Sequence, residues 1–268
     1  MTPSTIAVIG SGRMGETLIH GLLNTGLVPA SNIRATDNRP ERLRHIAATT
    51  GVVATASNTD AAAMADLVLV CVKPQTADAV LADIAPAVRP GTLVVSIMAG
   101  KRLRHIESLL PAGTPVIRAM PNTPCQVSEG MTVLAGGTHA QAAHVERAKQ
   151  LFAAVGRVMF LSEHHFDAVT ALSASGPAFI YIVIEALADG GVKCGLPRDV
   201  AFELAAQMTL GSAKMVIESG QHPAVLKDDV TTPAGTTIDG ILKLEEGGLR
   251  VTLIKAVAEA ARRASELG

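Results

Sequence analysis

The feature that most restricts this chain lies at its start, where the apolar run Ile6-Ala7-Val8-Ile9 breaks into Gly10-Ser11-Gly12-Arg13-Met14-Gly15 and then into a helical pattern. Strand, G-x-G-x-x-G and helix in that order are the context a dinucleotide-binding loop requires. The glycines act differently: the first makes a tight turn, the second lets backbone approach a pyrophosphate, and the third lets helix and strand pack closely. The phosphates then meet a helix N-terminus, whose unpaired N–H groups and positive dipole end stabilise anions. A second strand, Ile33 to Thr36, runs into Asp37-Asn38-Arg39. An acid at this place suits the ribose 2′-hydroxyl of NAD, whereas a nearby arginine suits the 2′-phosphate of NADP, and both are present.

The remaining pattern alternates strands with helices as far as Leu161. Strands are expected near Val52–Ala54, Leu67–Val72, Leu93–Ile97, Val116–Ala119, Met131–Ala135 and Arg157–Leu161. Leu67 to Val72 is apolar throughout, as a parallel strand buried on both faces should be. The strands of the central group end in unusual turns, Lys73-Pro74-Gln75, Met98-Ala99-Gly100 and Met120-Pro121-Asn122-Thr123-Pro124, on the edge where a doubly wound sheet binds its ligand. Beyond Leu161 everything reads as helix, with breaks expected at Ser173–Pro177 and at Gly190-Gly191. A long helix begins at Pro197 and runs to Ser219, about 33 Å at 1.5 Å per residue. It is apolar on more than one side, which predicts a subunit interface. The polar interruption from Leu226 to Thr237 holds four threonines within Thr231–Thr237 and leads into another helix, a setting that fits an anion site and a simple threonine cap equally well.

Composition narrows the function classes. A net charge of −1 and 2% aromatic residues argue against nucleic-acid binding. The three cysteines, Cys71, Cys125 and Cys194, are far apart, and no histidine spacing suggests a metal. No apolar run is expected to reach the roughly 18 residues of a membrane helix. Met1 to Thr5 lead directly into the first strand without a signal-like segment, so a cytoplasmic protein is expected.

Taken together, Gly10–Gly15, Val72-Lys73-Pro74-Gln75, Met120–Pro124, Ser173–Pro177, Asp189-Gly190-Gly191-Val192 and Thr232–Thr237 resemble the pyrroline-5-carboxylate reductase family across essentially the whole chain. The resemblance implies an α/β fold: a Rossmann-type parallel-sheet domain over 1–162, then an all-helical substrate and dimerisation domain over 163–268 with 6-phosphogluconate-dehydrogenase-like architecture. It further implies reduction of the cyclic imine 1-pyrroline-5-carboxylate to L-proline by NADPH or NADH, with NADPH slightly favoured. The cofactor would be held by Gly10, Ser11, Gly12, Arg13, Met14, Gly15, Asp37, Asn38, Arg39, Asn58, Val72, Lys73, Pro74, Met98, Ala99, Gly100 and Pro121. Substrate would meet Glu163, Ser175, Asp229, Thr232, Gly235 and Thr236, with Thr237 at the ring nitrogen. Partners would be the imine and a second copy of the chain, with dimers able to assemble into rings, and neither nucleic acid nor membrane. Two residues depart from the family's pattern: Ala174 and Ala234 each stand where glycine is usual, which matters only where the backbone is left-handed or a ligand touches the α-carbon.

Overall fold

A computed structural model describes residues 5–267; Met1 to Ser4, expected as a short lead-in, and Gly268 lie outside the described residues. The chain divides into two compact units, one of residues 5–175 with 260–267 and the other of 176–259. Residues 163–175, assigned from the sequence to the helical domain, group with the sheet.

In the first unit the strands are β1 (Ile6–Ile9), β2 (Ile33–Thr36), β3 (Val53–Thr55), β4 (Leu67–Val70), β5 (Leu93–Ser96), β6 (Val116–Met120), β7 (Gly130–Gly136) and β8 (Gly156–Phe160). Their order is β3-β2-β1-β4-β5-β6-β7-β8. The first six strands are parallel, whereas β7 pairs antiparallel with β6 and β8 follows β7, so the expected parallel sheet has a reversed pair at one edge. Order reverses at β1, between β2 and β4, and that switch point opens a crevice at the carboxyl ends of the strands.

Helices α1 (Arg13–Asn24), α2 (Pro40–Thr50), α3 (Asn58–Ala63), α4 (Ala77–Ile84), α5 (Leu103–Ser108) and α6 (Ala142–Ala153) cover the sheet. Alternate residues of β1 enter different cores: Ile6 and Val8 pack with Leu18, Leu22, Leu151 and Phe152, while Ala7 and Ile9 pack with Leu81, Ile84 and Phe166. This burial on both faces is why β1 and β4 are apolar throughout. Each fully buried Leu or Ile stabilises the unit by about 1.5–3 kcal/mol.

A short helix α7 (Phe166–Val169) passes through one π turn (Thr170–Ala174) directly into α8 (Gly176–Lys193). The break expected at Ser173–Pro177 is therefore absent. The π turn explains it: Ser175 N–H donates to the Thr170 carbonyl at 2.9 Å, shifting the hydrogen-bond ladder just ahead of Pro177, which has no N–H to give. Nor do Gly190 and Gly191 end the helix. The resulting helical stretch Glu163–Lys193 has 31 residues and mean hydropathy 1.6 over its most apolar window, long and apolar enough to cross a membrane by length and composition alone. That corrects the expectation that no such run exists.

The second unit continues with α9 (Arg198–Ser219), α10 (Pro223–Asp229), α11 (Thr236–Glu246) and most of α12 (Leu249–Glu266). Pro197 caps α9 instead of occupying its first turn, and α10 lies partly within the expected polar interruption. Small residues let α8 and α9 approach: Ala188, Ala201 and Ala205 form the buried cluster, with Ile184 and Val192 against it. Larger apolar side chains of these helices, among them Ile182, Leu204, Met208 and Met215, remain exposed within the chain. An apolar face of this extent marks an association surface.

Candidate functional site

The glycine loop shows the tight turn expected of its first glycine, the close packing expected of its third, and open space at its second. Gly10 has φ +96°, and a Cβ there would stand 3.0 Å from both the Cys71 carbonyl oxygen and Val72 Cγ1. At Gly15 an added Cβ would overlap the Gly10 carbonyl oxygen, so only glycine lets α1 pack this closely. A Cβ on Gly12 would meet nothing within 4 Å, because that position faces open space. No side chain caps α1, and the Gly12 N–H has no partner among the described residues. Ser11 is fully buried, its N–H and Oγ donating to the Thr36 carbonyl at 2.8 and 2.9 Å. Open space above unpaired N–H donors at a helix start fits a pyrophosphate. Arg13 and Met14 form the first turn of α1.

β1, β4, β5 and β6 are neighbours and parallel, so the turns after them leave the same sheet edge. Val72 touches the Gly10 turn, Lys73 is exposed, and Pro74 begins a 3-10 turn. Met98 is buried, its N–H donating to Ser96 Oγ at 3.3 Å; Ala99 is exposed and Gly100 has φ +74°. Pro121 is buried at the end of β6. Next to it Asn122, which the sequence marks only as part of a turn, braces the edge: Oδ1 accepts from Met131 N–H at 2.9 Å, and Nδ2 donates to Ser173 Oγ at 3.3 Å.

At the end of β2, Asp37 is 7% exposed and already occupied. Arg39 Nε donates to Oδ1 at 3.0 Å and Nη2 to Oδ2 at 3.2 Å, while Arg39 N–H also donates to Oδ1. Burial opposes the charge on Asp37, but these bonds outweigh it and hold the carboxyl below its usual value. Asn38 is exposed. Ser57 Oγ, not Asn58, caps α3, accepting from Asp60 N–H at 3.0 Å. Both ends of the Asn58 amide are engaged, Oδ1 by Thr36 Oγ1 at 2.7 Å and Nδ2 by Asp83 Oδ2 at 3.0 Å.

Glu163 has a structural engagement that its expected place in the substrate pocket does not suggest. Oε1 accepts from Leu103 N–H at 2.7 Å, at the start of α5, and from Arg118 Nη1 at 2.9 Å. Arg118 is 3% exposed inside β6, with its guanidinium 4.7 Å from the Phe166 ring centre. A buried cation needs such partners, since leaving it unpaired is strongly destabilising. Ser175 closes the π turn and is half-buried.

In the second unit, α11 starts from Gly235, again with no side-chain cap. Thr231 Oγ1 is spent on the Lys227 carbonyl at 2.7 Å, closing α10, where Asp229 is exposed at the last position. The Thr232, Thr236 and Thr237 hydroxyls have no intramolecular partner among the described residues. Of the two roles open to this segment, a threonine cap is thus absent, and hydroxyls without a partner among the described residues remain. A Cβ on Gly235 would overlap Thr232 Oγ1.

The two departures from the family's glycines differ physically. Ala174 lies in the right-handed π turn and tolerates its methyl, whereas Ala234 has φ +58°, the left-handed region. That conformation costs a non-glycine residue roughly 1–2 kcal/mol. Replacing Ala234 with glycine should raise unfolding free energy by about 1 kcal/mol, measured by denaturant titration. Gly12→Val should leave thermal stability intact while weakening dinucleotide binding at least ~10-fold by titration, because the methyls enter the open space where a loop of this type would take a phosphate.

A family model for pyrroline-5-carboxylate reductase dimerisation matches residues 163–267, and one described as NADP oxidoreductase, coenzyme F420-dependent, matches residues 5–100. A pyrroline-5-carboxylate reductase from Glycine max is 43% identical over 264 residues, covering 98% of this chain and 96% of the relative. One from Methanosarcina acetivorans is 43% identical over 268 residues, covering 100% and 99%. The solved structure of the Coxiella burnetii reductase superposes with TM-score 0.94 at 34% identity, covering 100% of this chain and 99% of that one. That of the Plasmodium falciparum enzyme with NADP bound superposes with TM-score 0.90 at 30% identity and the same coverage. With such identity along its whole length, the chain belongs to the pyrroline-5-carboxylate reductase family.

Proposed function

We propose that the protein reduces 1-pyrroline-5-carboxylate to L-proline, the last step of proline biosynthesis, with NADPH or NADH and a preference for NADPH. The observation that carries this reading is the presence of two uncapped helix starts with free donors, the Gly10–Gly15 loop and the Thr232–Thr237 segment, in a chain similar throughout to enzymes of that name.

Bound dinucleotide supplies a hydride. The protein's part is placement. The pyrophosphate rests on the N–H groups of Gly12, Arg13 and Met14, and the turns at Val72–Pro74, Met98–Gly100 and Pro121 line the cofactor. Thr236 and Thr237 N–H groups and the Thr232 hydroxyl hold the substrate carboxylate. Glu163 acts chiefly by fixing α5 and Arg118, which keeps the rim of the pocket in place. Ser175 in the sheet unit and Asp229 in the helical unit are the other polar residues assigned to the substrate. Thr237 Oγ1 hydrogen-bonds the ring nitrogen. A threonine hydroxyl is too weak an acid to be the final proton source, so the imine binds protonated or receives its proton through water. The product gains one hydride at carbon and one proton at nitrogen.

NADPH preference is supported at Asp37. Both of its oxygens accept from Arg39, which leaves little capacity for a ribose 2′-hydroxyl, while Arg39 Nη1 makes no bond to the protein among the described residues. A phosphate bound to arginine is a charge-assisted contact. Arg39→Ala should therefore raise the KM for NADPH about 10-fold or more and that for NADH less than about 2-fold, the loss expected for one charged hydrogen bond.

The exposed apolar face of the helical unit is covered by a second copy, consistent with the dimerisation model over 163–267. Rings of dimers, a cytoplasmic location and a functional division at 162/163 belong to the same proposal. The helical stretch Glu163–Lys193 then serves association, not membrane insertion.

The experiment is to follow absorbance of NADPH and NADH with pyrroline-5-carboxylate, a six-membered imine carboxylate and a panel of β-ketoacids. Turnover with the first is expected; none with it removes the reading, and binding without turnover of any compound would make the protein a sensor. β-Hydroxyacid dehydrogenases usually carry a lysine on the first helix after the sheet domain, and the helical stretch from Glu163 holds none before Lys193 at its end. Thr237→Ala should lower kcat by about 10-fold with dinucleotide affinity unchanged, the pattern of a lost transition-state contact.

A further inference from the structure

Beside the phosphate loop lie three charged or titratable side chains that the mechanism does not use: Glu16, Arg42 and His45. Arg42, in the first turn of α2, directs Nε and Nη2 at a single acceptor, the main-chain carbonyl of Ser11, at 3.1 and 2.6 Å. The same Nη2 lies 2.9 Å from Glu16 Oε2, and His45 Nε2 lies 2.8 Å from Glu16 Oε1. Arg42 and Glu16 side chains are each only 22% exposed. Burial works against the charge on Glu16, yet the bonds from Arg42 and His45 prevail and hold its carboxyl below the usual range.

We infer that Arg42 is a positioning residue for the dinucleotide, one that aims the Gly12 N–H at the pyrophosphate without itself contacting the cofactor. In a planar trans peptide the carbonyl and the following N–H point to opposite sides. An arginine that holds the Ser11 carbonyl from the α2 side therefore turns the Gly12 N–H outward. That N–H has no acceptor among the described residues, and a Cβ on the same Gly12 would meet no atom within 4 Å. The loop is secured from the other side as well, because Ser11 N–H and Oγ both donate to the Thr36 carbonyl. A cation on the carbonyl also polarises the peptide and strengthens its N–H as a donor. Glu16 on α1 and His45 on α2 keep the guanidinium in register between the two helices.

The inference rests on the placement of the pyrophosphate on this loop, and it separates the roles of two arginines close in sequence. Arg39 acts on the 2′-phosphate, which only NADPH has. Arg42 acts on the part common to both dinucleotides.

The test compares Arg42→Met and Arg42→Lys with the unaltered enzyme, reading KM and Kd for NADPH and for NADH, kcat, KM for pyrroline-5-carboxylate, and the melting temperature of the ligand-free protein. Arg42→Met should raise Kd and KM for both dinucleotides by about 10-fold and by nearly the same factor, as loss of one charge-assisted contact would. kcat at saturating dinucleotide and the KM for the imine should stay within about 2-fold, the split expected for lost ground-state binding. Arg42→Lys, whose single nitrogen reaches the carbonyl but not in a two-pronged way, should recover part of the loss and remains informative if the methionine variant does not fold. A loss confined to NADPH overturns the inference, since Arg42 would then be reading the 2′-phosphate. Unchanged affinity for both also overturns it. Gly12→Val in the same assay keeps the two levels apart: if it weakens binding while Arg42 variants are silent, only the role of Arg42 falls, whereas a silent Gly12→Val brings down the placement of the pyrophosphate and this inference with it.

Discussion

The cofactor half of the structure depends on one close approach, that of Gly10 to the peptide at Cys71. The end of β1 and the end of β4 lie side by side, Ile9 opposite Val70, and Cys71 N–H donates to the Ile9 carbonyl at 2.8 Å. Where the chain then turns with φ +96°, there is no room for a side chain, and none is needed. Because this turn closes on β4, α1 can start directly above the sheet edge, and Gly15 can pack against the Gly10 carbonyl. That contact places the helix start that the phosphate would meet. Salt bridges on the surface of the same unit, such as Arg89 with Asp66, have no comparable effect, since exposed pairs contribute on the order of 0–1 kcal/mol.

Much of the sheet unit is legible in the sequence because its rules are local and repetitive. Ile6–Ile9 and Ile33–Thr36 are found at the expected residues, the first marked by an unbroken apolar run and each by a glycine or an acid just after its end. The reversed direction of β7 and β8 is not legible, because a strand's residues do not encode its direction. The helix around Ser173–Pro177 is misread for a different reason. Serine, glycine and proline together signal a stop, but a π turn at Thr170–Ala174 carries the helix past Pro177. Similarly, Arg42 and Glu16 look like the solvated faces of two amphipathic helices, and only the folded loop shows that Arg42 donates to a main-chain carbonyl.

The substrate segment shows how a motif and its geometry differ in what they reveal. Threonines at 231, 232, 236 and 237 are equally compatible with a cap and with an anion site until their partners are known. The structure commits Thr231 to the end of α10 and gives the other hydroxyls no partner among the described residues. It likewise decides the two alanines: the same Gly-to-Ala change is conformationally harmless at 174 and strained at 234, because cost depends on φ and not on residue type. Glycine at 235 is retained where the Thr232 hydroxyl occupies the space of its Cβ. The proposed reaction uses two uncapped helix starts, one for phosphate and one for carboxylate.

The most direct measurement of that pairing is isotope transfer. NADPH carrying deuterium at the transferable C4 position is incubated with the protein and pyrroline-5-carboxylate, and the proline is analysed by mass spectrometry and NMR. One deuterium per proline is expected, on the ring carbon next to nitrogen and remote from the carboxylate, with one dinucleotide oxidised for each proline formed. Unlabelled proline, label at another carbon, or NADPH that binds and is not consumed would contradict it.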